Sequence, residues 1–156
     1  MIQISNLYEK AKENNQSSGI LFFVLVTFLL IVINPYWPGV YLYRDLEFVA
    51  GALFGMIFAM RNRKPDQPPI TLGIIIGLIG GILAAVISGS VLVLIFSLSF
   101  ILNPIWFFVY IGVLCTTGII IGLLMGVIIG WYYKSKDIRE KEDTTGEGFL
   151  QDLLEK

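Results

Sequence analysis

Apolar and small residues dominate four stretches of the chain, and short polar or proline-bearing gaps separate them. The first stretch predicts a helix from Ser18 to Asn34, about 25 Å at 1.5 Å rise per residue, which covers most of a hydrocarbon core. The second, Leu46 to Met60, is shorter. Extending it outward brings in Arg44, Asp45 and Glu47, and charges near a helix end can snorkel to the headgroups. Arg61-Asn62-Arg63-Lys64 stops it. Pro69 suits the first turn of the third helix. Residues 70–102 would make a helix of about 50 Å, longer than a ~30 Å core. That helix therefore tilts and protrudes, or breaks near Ser88-Gly89-Ser90. The fourth starts near Ile105 and reaches Trp131-Tyr132-Tyr133, where Lys134 and Lys136 are expected to end it.

Part of the pattern occurs twice. Residues 24–41 set over 93–110 without a gap are identical at 8 of 18 positions. Matches among Val and Leu carry little weight in apolar sequence. Asn34/Asn103, Pro35/Pro104, Trp37/Trp106 and Tyr41/Tyr110 carry more. After two residues of slippage, Gly51-x-Leu53-x-Gly55 falls on Gly122-x-Leu124-x-Gly126. This reads as a duplicated two-helix unit, with repeat 1 at about 18–64 and repeat 2 at about 89–134. In each Asn-Pro-x-Trp turn, proline stops the helix, asparagine can satisfy freed backbone groups, and tryptophan anchors at the headgroups.

Composition narrows the function. Hydrophobic residues make up 56% of the chain, more than a soluble domain of 156 residues needs. The net charge of −1 offers no field for nucleic acid. With no histidine and one cysteine, Cys115, the commonest general base and thiolate metal clusters are ruled out. From Gln67 to Tyr133 there is no Asp, Glu, Lys, Arg or His, which argues against an ion-coupled pump. No nucleophile–base–oxyanion constellation emerges, so the expectation is no enzyme, no cofactor and no metal.

Charge also sets orientation. With the amino terminus inside, Lys10, Lys12, Arg61, Arg63, Lys64, Lys134, Lys136, Arg139, Lys141 and Lys156 fall inside and Arg44 alone outside. That is a strong positive-inside bias. Nothing like a cleavage site follows the first apolar run, so it reads as a retained anchor. The inside cluster Arg61, Arg63 and Lys64 is a candidate contact for anionic headgroups. Arg44 and Glu47 are spaced to pair on a helix, whereas Asp45 and Glu47 point to different sides.

Small residues recur four apart: Gly51, Gly55 and Ala59; Gly73, Gly77, Gly81, Ala85 and Gly89; Gly118, Gly122, Gly126 and Gly130. In lipid, close backbone approach through small residues is the packing device between helices. These stripes face neighbours within one bundle or neighbouring subunits. Ser88, Ser90, Ser97, Ser99, Thr116 and Thr117 could line a polar path, but such hydroxyls more often bond their own backbone four residues back.

The expected fold is an all-α integral membrane protein: a four-transmembrane-helix bundle built from two parallel two-helix repeats. A cytoplasmic segment, 1–17, precedes the bundle at 18–133. A mobile cytoplasmic tail, 134–156, follows it and ends in a short amphipathic helix at Phe149, Leu150, Leu153 and Leu154. The glycines and the two Asn-Pro turns resemble those of small glycine-rich four-helix membrane proteins of unknown function from archaea and other prokaryotes. That resemblance implies no activity. The expected role is a scaffold or accessory subunit in the cell membrane, with an oligomeric pore or transport component as the alternative. Expected partners are the lipid bilayer, copies of the chain or a larger membrane complex, and a cytoplasmic protein at the tail, but not nucleic acid.

Overall fold

The computed structural model describes residues 14–33, 44–96 and 104–154. It is all-helical there. The elements are α1 (Asn15–Ile33), α2 (Arg44–Arg61), α3 (Pro69–Phe96) and α4 (Pro104–Leu154). Proline opens both α3 and α4, where its fixed φ suits the first turn and its missing N–H costs nothing. Asn62 closes α2 by donating its Nδ2 to the Phe58 carbonyl at 2.9 Å. The Arg63–Pro68 turn is held by Gln67 N donating to Lys64 O at 3.1 Å.

Three helices are long and apolar enough to cross a membrane: Asn15–Ile33, Pro69–Val91 and Phe107–Glu140. The side chains are arranged accordingly. Large apolar residues such as Leu21, Phe54, Phe108, Val113 and Leu124 are exposed, while Gly19, Thr27, Ala52, Ala59 and Ala84 are buried. Water would penalise so large an exposed apolar surface; lipid does not.

Contacts between named positions give the helix directions. Asn15 lies against Ala59, Gly19 against Gly55, Phe23 against Gly51 and Thr27 against Glu47, so α1 and α2 are antiparallel. Gly73 lies on Gly126, Gly77 on Gly122 and Gly81 on Gly118, so α3 and α4 are antiparallel too. Gly19 approaches Ile76, and Phe23 approaches Gly80; α1 therefore runs parallel to α3. Phe48 beside Gly118 and Arg63 beside Asp137 make α2 parallel to α4.

Three expectations change, and one left open between two alternatives is decided. First, α1 begins at Asn15 rather than Ser18, because Asn15 is buried and bonded into the bundle. Second, α3 runs through Ser88-Gly89-Ser90 without a break; at 28 residues it spans about 42 Å and must tilt or protrude from a ~30 Å core. Third, α4 does not end at Lys134 but continues to Leu154. Lysine, glutamate and arginine are good helix formers, so leaving the apolar phase does not end the helix. Lys136 and Glu140 pair across one turn at 3.5 Å. The expected separate helix at 149–154 is the end of this same element.

The fourth concerns the repeat. The sequence alignment carries Thr27 to position 96 and Glu47 to Gly118. Thr27 and Glu47 share a level in the first hairpin, yet Gly118 lies against Gly81. The two hairpins thus pack in different registers. Asn34, Pro35, Trp37 and Asn103 of the outer turns lie outside the described residues, while Pro104 and Trp106 fall in the first turn of α4.

Candidate functional site

The α3–α4 seam is built from backbone rather than side chains. A Cβ placed on Gly73, Gly77 or Gly81 would overlap the carbonyl of Gly126, Gly122 or Gly118 respectively. Gly130 continues the seam against Ile70 Cα, 2.7 Å from where its Cβ would stand. At the other end, a Cβ on Gly89 would stand 3.0 Å from Leu114 Cδ1. Gly51 and Gly55 make the same kind of contact with Phe23 and Gly19 on α1. None of the described glycines has a positive φ. Their use is close approach, with no turn involved. The α3 and α4 stripes expected from sequence therefore meet each other inside a single chain, and the α2 stripe meets α1.

Polar groups gather at the end of the bundle that carries Arg61–Lys64, here the basic end. Asn15 is 2% exposed, and its Nδ2 donates to Ala59 O at 3.3 Å and to Gln67 Oε1 at 2.8 Å. The same Gln67 oxygen accepts from Lys64 N at 3.3 Å. Arg63 Nη1 donates to Gln67 O at 3.1 Å, and its Nη2 pairs with the Asp137 carboxylate on α4. One network thus ties the start of α1, the α2–α3 turn and the extension of α4. It fixes the fourth helix beyond the apolar phase.

Beside this network lies a cavity of about 450 Å³ between the end of α2 and the 132–140 stretch of α4. Arg61, Arg63 and Lys136 line it with Tyr132 and Tyr133. Of the three expected headgroup contacts, Arg63 is committed to Asp137, Arg61 reaches the cavity, and Lys64 is exposed outside its lining.

The other polar level is near the start of α2. Glu47 is buried while Asp45 is exposed, as their spacing implies. Thr27, fully buried on α1, donates its Oγ1 to Glu47 O at 3.4 Å. Ser88 on α3 is also fully buried. Thr116 back-bonds to Gly112 O at 2.9 Å, the local use expected of a membrane hydroxyl. Ser97 and Ser99 lie outside the described residues. Among the described residues, no group of three or more His, Cys, Asp or Glu could hold a metal ion.

Sequence reasoning missed Asn15, Gly19, Thr27, Gln67 and Asp137. For α1 a signal existed: Asn15, Gly19, Phe23, Thr27 and Ile31 recur four apart and are all buried. Their mixed chemistry hid it. For Asp137 there was none, because its partner lies 74 residues away. No family model, characterised protein or solved structure matches this chain.

Proposed function

We propose that the protein is a non-catalytic, multi-pass scaffold or accessory subunit of a membrane assembly, crossing the bilayer four times with both termini in the cytoplasm. The observation that carries the scaffold reading is the filled axis. Phe23, Phe48, Met56 and Ile76 are each 0% exposed, and the backbones of α3 and α4 touch along the glycine seam. Among the described residues the axis is filled, and a bundle so packed offers its outer faces to partners.

The fourth crossing rests on direction. α1 and α3 run parallel, so the chain must return between them. α2 lies antiparallel along α1 from the Thr27–Glu47 level to the Asn15–Ala59 level. Its charges Arg44, Asp45, Glu47 and Arg61 sit at its two ends, and Leu46, Phe54 and Ile57 are exposed. An 18-residue helix spans about 27 Å, close to a hydrocarbon core. The like directions of the two hairpins support two parallel units with a common origin whose packing registers have since slid apart. The positive charges at the basic end support its cytoplasmic placement.

The experiment pairs purification in mild detergent with flux in reconstituted liposomes. A stoichiometric complex with another membrane protein, and liposomes no leakier than protein-free ones, supports the scaffold. A homo-oligomer that passes small solutes overturns it in favour of a pore.

A further inference from the structure

We infer that the cavity at the basic end binds a phosphate group, supplied by the headgroup of an anionic phospholipid. Charge is the first reason. The lining holds three cations, Arg61, Arg63 and Lys136, against two carboxylates, Asp137 and Glu140, leaving one positive charge in excess. A phosphodiester carries one negative charge.

The cations also differ in availability. Arg63 is held by Asp137 and by Gln67 O, so it forms a fixed wall. Arg61 is exposed. Lys136 meets Glu140 only at 3.5 Å, with side chains 56% and 65% exposed, an exchangeable surface pair. Arg61 can present a planar fork and Lys136 a point charge to one phosphate. Tyr132 and Tyr133 also line the cavity, and each carries a hydroxyl able to donate. A volume of about 450 Å³ falls in the ordinary range of small-ligand sites.

Helical spacing indicates the source. On α4, Ile128, Tyr132 and Lys136 are four apart, and all three are exposed. On α2, Phe54, Ile57 and Arg61 fall on one face and are likewise exposed. Arg61 and Lys136 therefore each end an apolar strip that faces outward. An acyl chain can follow the strip while its phosphate rests between the cations. A free phosphate would use the cations and leave the strips idle. The lipid as source rests on the membrane placement proposed above; the phosphate chemistry does not.

The test titrates phosphatidylglycerol, phosphatidylcholine, glycerol phosphate or inorganic phosphate into the purified full chain in detergent. Phosphatidylglycerol is expected to bind roughly tenfold or more tightly than phosphatidylcholine, because two cations face its anionic headgroup. Arg61→Gln combined with Lys136→Gln should abolish that preference. Lys134→Gln combined with Arg139→Gln, the same charge change at exposed positions outside the cavity lining, should keep it. Glycerol phosphate binding as tightly as phosphatidylglycerol would keep the phosphate site and overturn the lipid source. Equal affinity for both lipids, or a preference that survives the double change, would overturn the proposal. Because the wild-type comparison is made in micelles, its outcome is separate from that of the topology.

Discussion

Gly77 and Gly122 face each other so closely that a Cβ on either would overlap the carbonyl oxygen of the other. The obstacle is backbone, and no rotamer change can relieve it. Lipid supplies no hydrophobic force to press α3 and α4 together, so dispersion between touching backbones must hold the seam.

Gly77→Leu and Gly122→Leu should each destabilise the bundle by at least the ~1–3 kcal/mol typical of an overpacked site. Gly112 is on the same helix as Gly122, but a Cβ there would meet nothing within 4 Å. Gly112→Leu is expected to leave stability nearly unchanged. Thermal unfolding in one detergent compares all three. Equal melting temperatures for Gly112→Leu and Gly122→Leu would contradict the seam.

Arg63 and Asp137 join the α2–α3 turn to α4 beyond its apolar phase, with side chains 14% and 32% exposed. Asp137→Asn should loosen α4 from residue 134 onward while sparing the seam. A double-mutant cycle with Arg63→Gln is expected to give a coupling of about 1 kcal/mol, the upper end for a partly exposed pair. Hydrogen exchange at 134–140 should rise in Asp137→Asn. Unchanged exchange there would mean that helix propensity alone holds this segment.

How much of this was legible follows from where each signal lives. A four-residue spacing turns 400° about the helix axis, so a glycine stripe stays on one face and can be read from one helix alone. Which glycine meets which cannot, because register belongs to two helices and to the turn between them. The Asn-Pro duplication suggested one register for both hairpins, and Gly118 against Gly81 shows another. The end of α4 is hidden in the sequence for a different reason. Lys134 and Lys136 mark departure from the apolar phase, but that boundary is not a helix end, because lysine is no helix breaker. The basic cluster Arg61, Arg63 and Lys64 suggests headgroup contact for all three, and nothing local shows that Arg63 pairs with Asp137, 74 residues away. Only the fold brings them together.

Asn15 offers a third prediction. Its amide spends both protons, on Ala59 O and Gln67 Oε1. Asn15→Leu keeps the volume but removes the side-chain donor to Ala59 O in a buried site and leaves Gln67 Oε1 with Lys64 N alone. The expected loss is about 1–3 kcal/mol. Ser17→Leu, on an exposed position of the same turn, should cost much less. A similar cost for both would reduce the network to surface decoration.

The last prediction concerns the crossing of α2. By hydropathy α2 does not qualify as a span, yet it links two parallel helices that do. Asp45 and Lys64 lie at its opposite ends, and both are exposed. In a Cys115→Ala background, Asp45→Cys should react with an impermeant maleimide added outside intact cells. Lys64→Cys should react only after the membrane is opened. Arg61, Arg63 and Lys64 make the reverse orientation costly, since the cytoplasmic side retains positive charge. Reaction of both positions from the same side would mean that α2 does not cross, and the four-span bundle would fall with it. Reaction of Lys64→Cys alone from outside would keep the crossing and invert the protein.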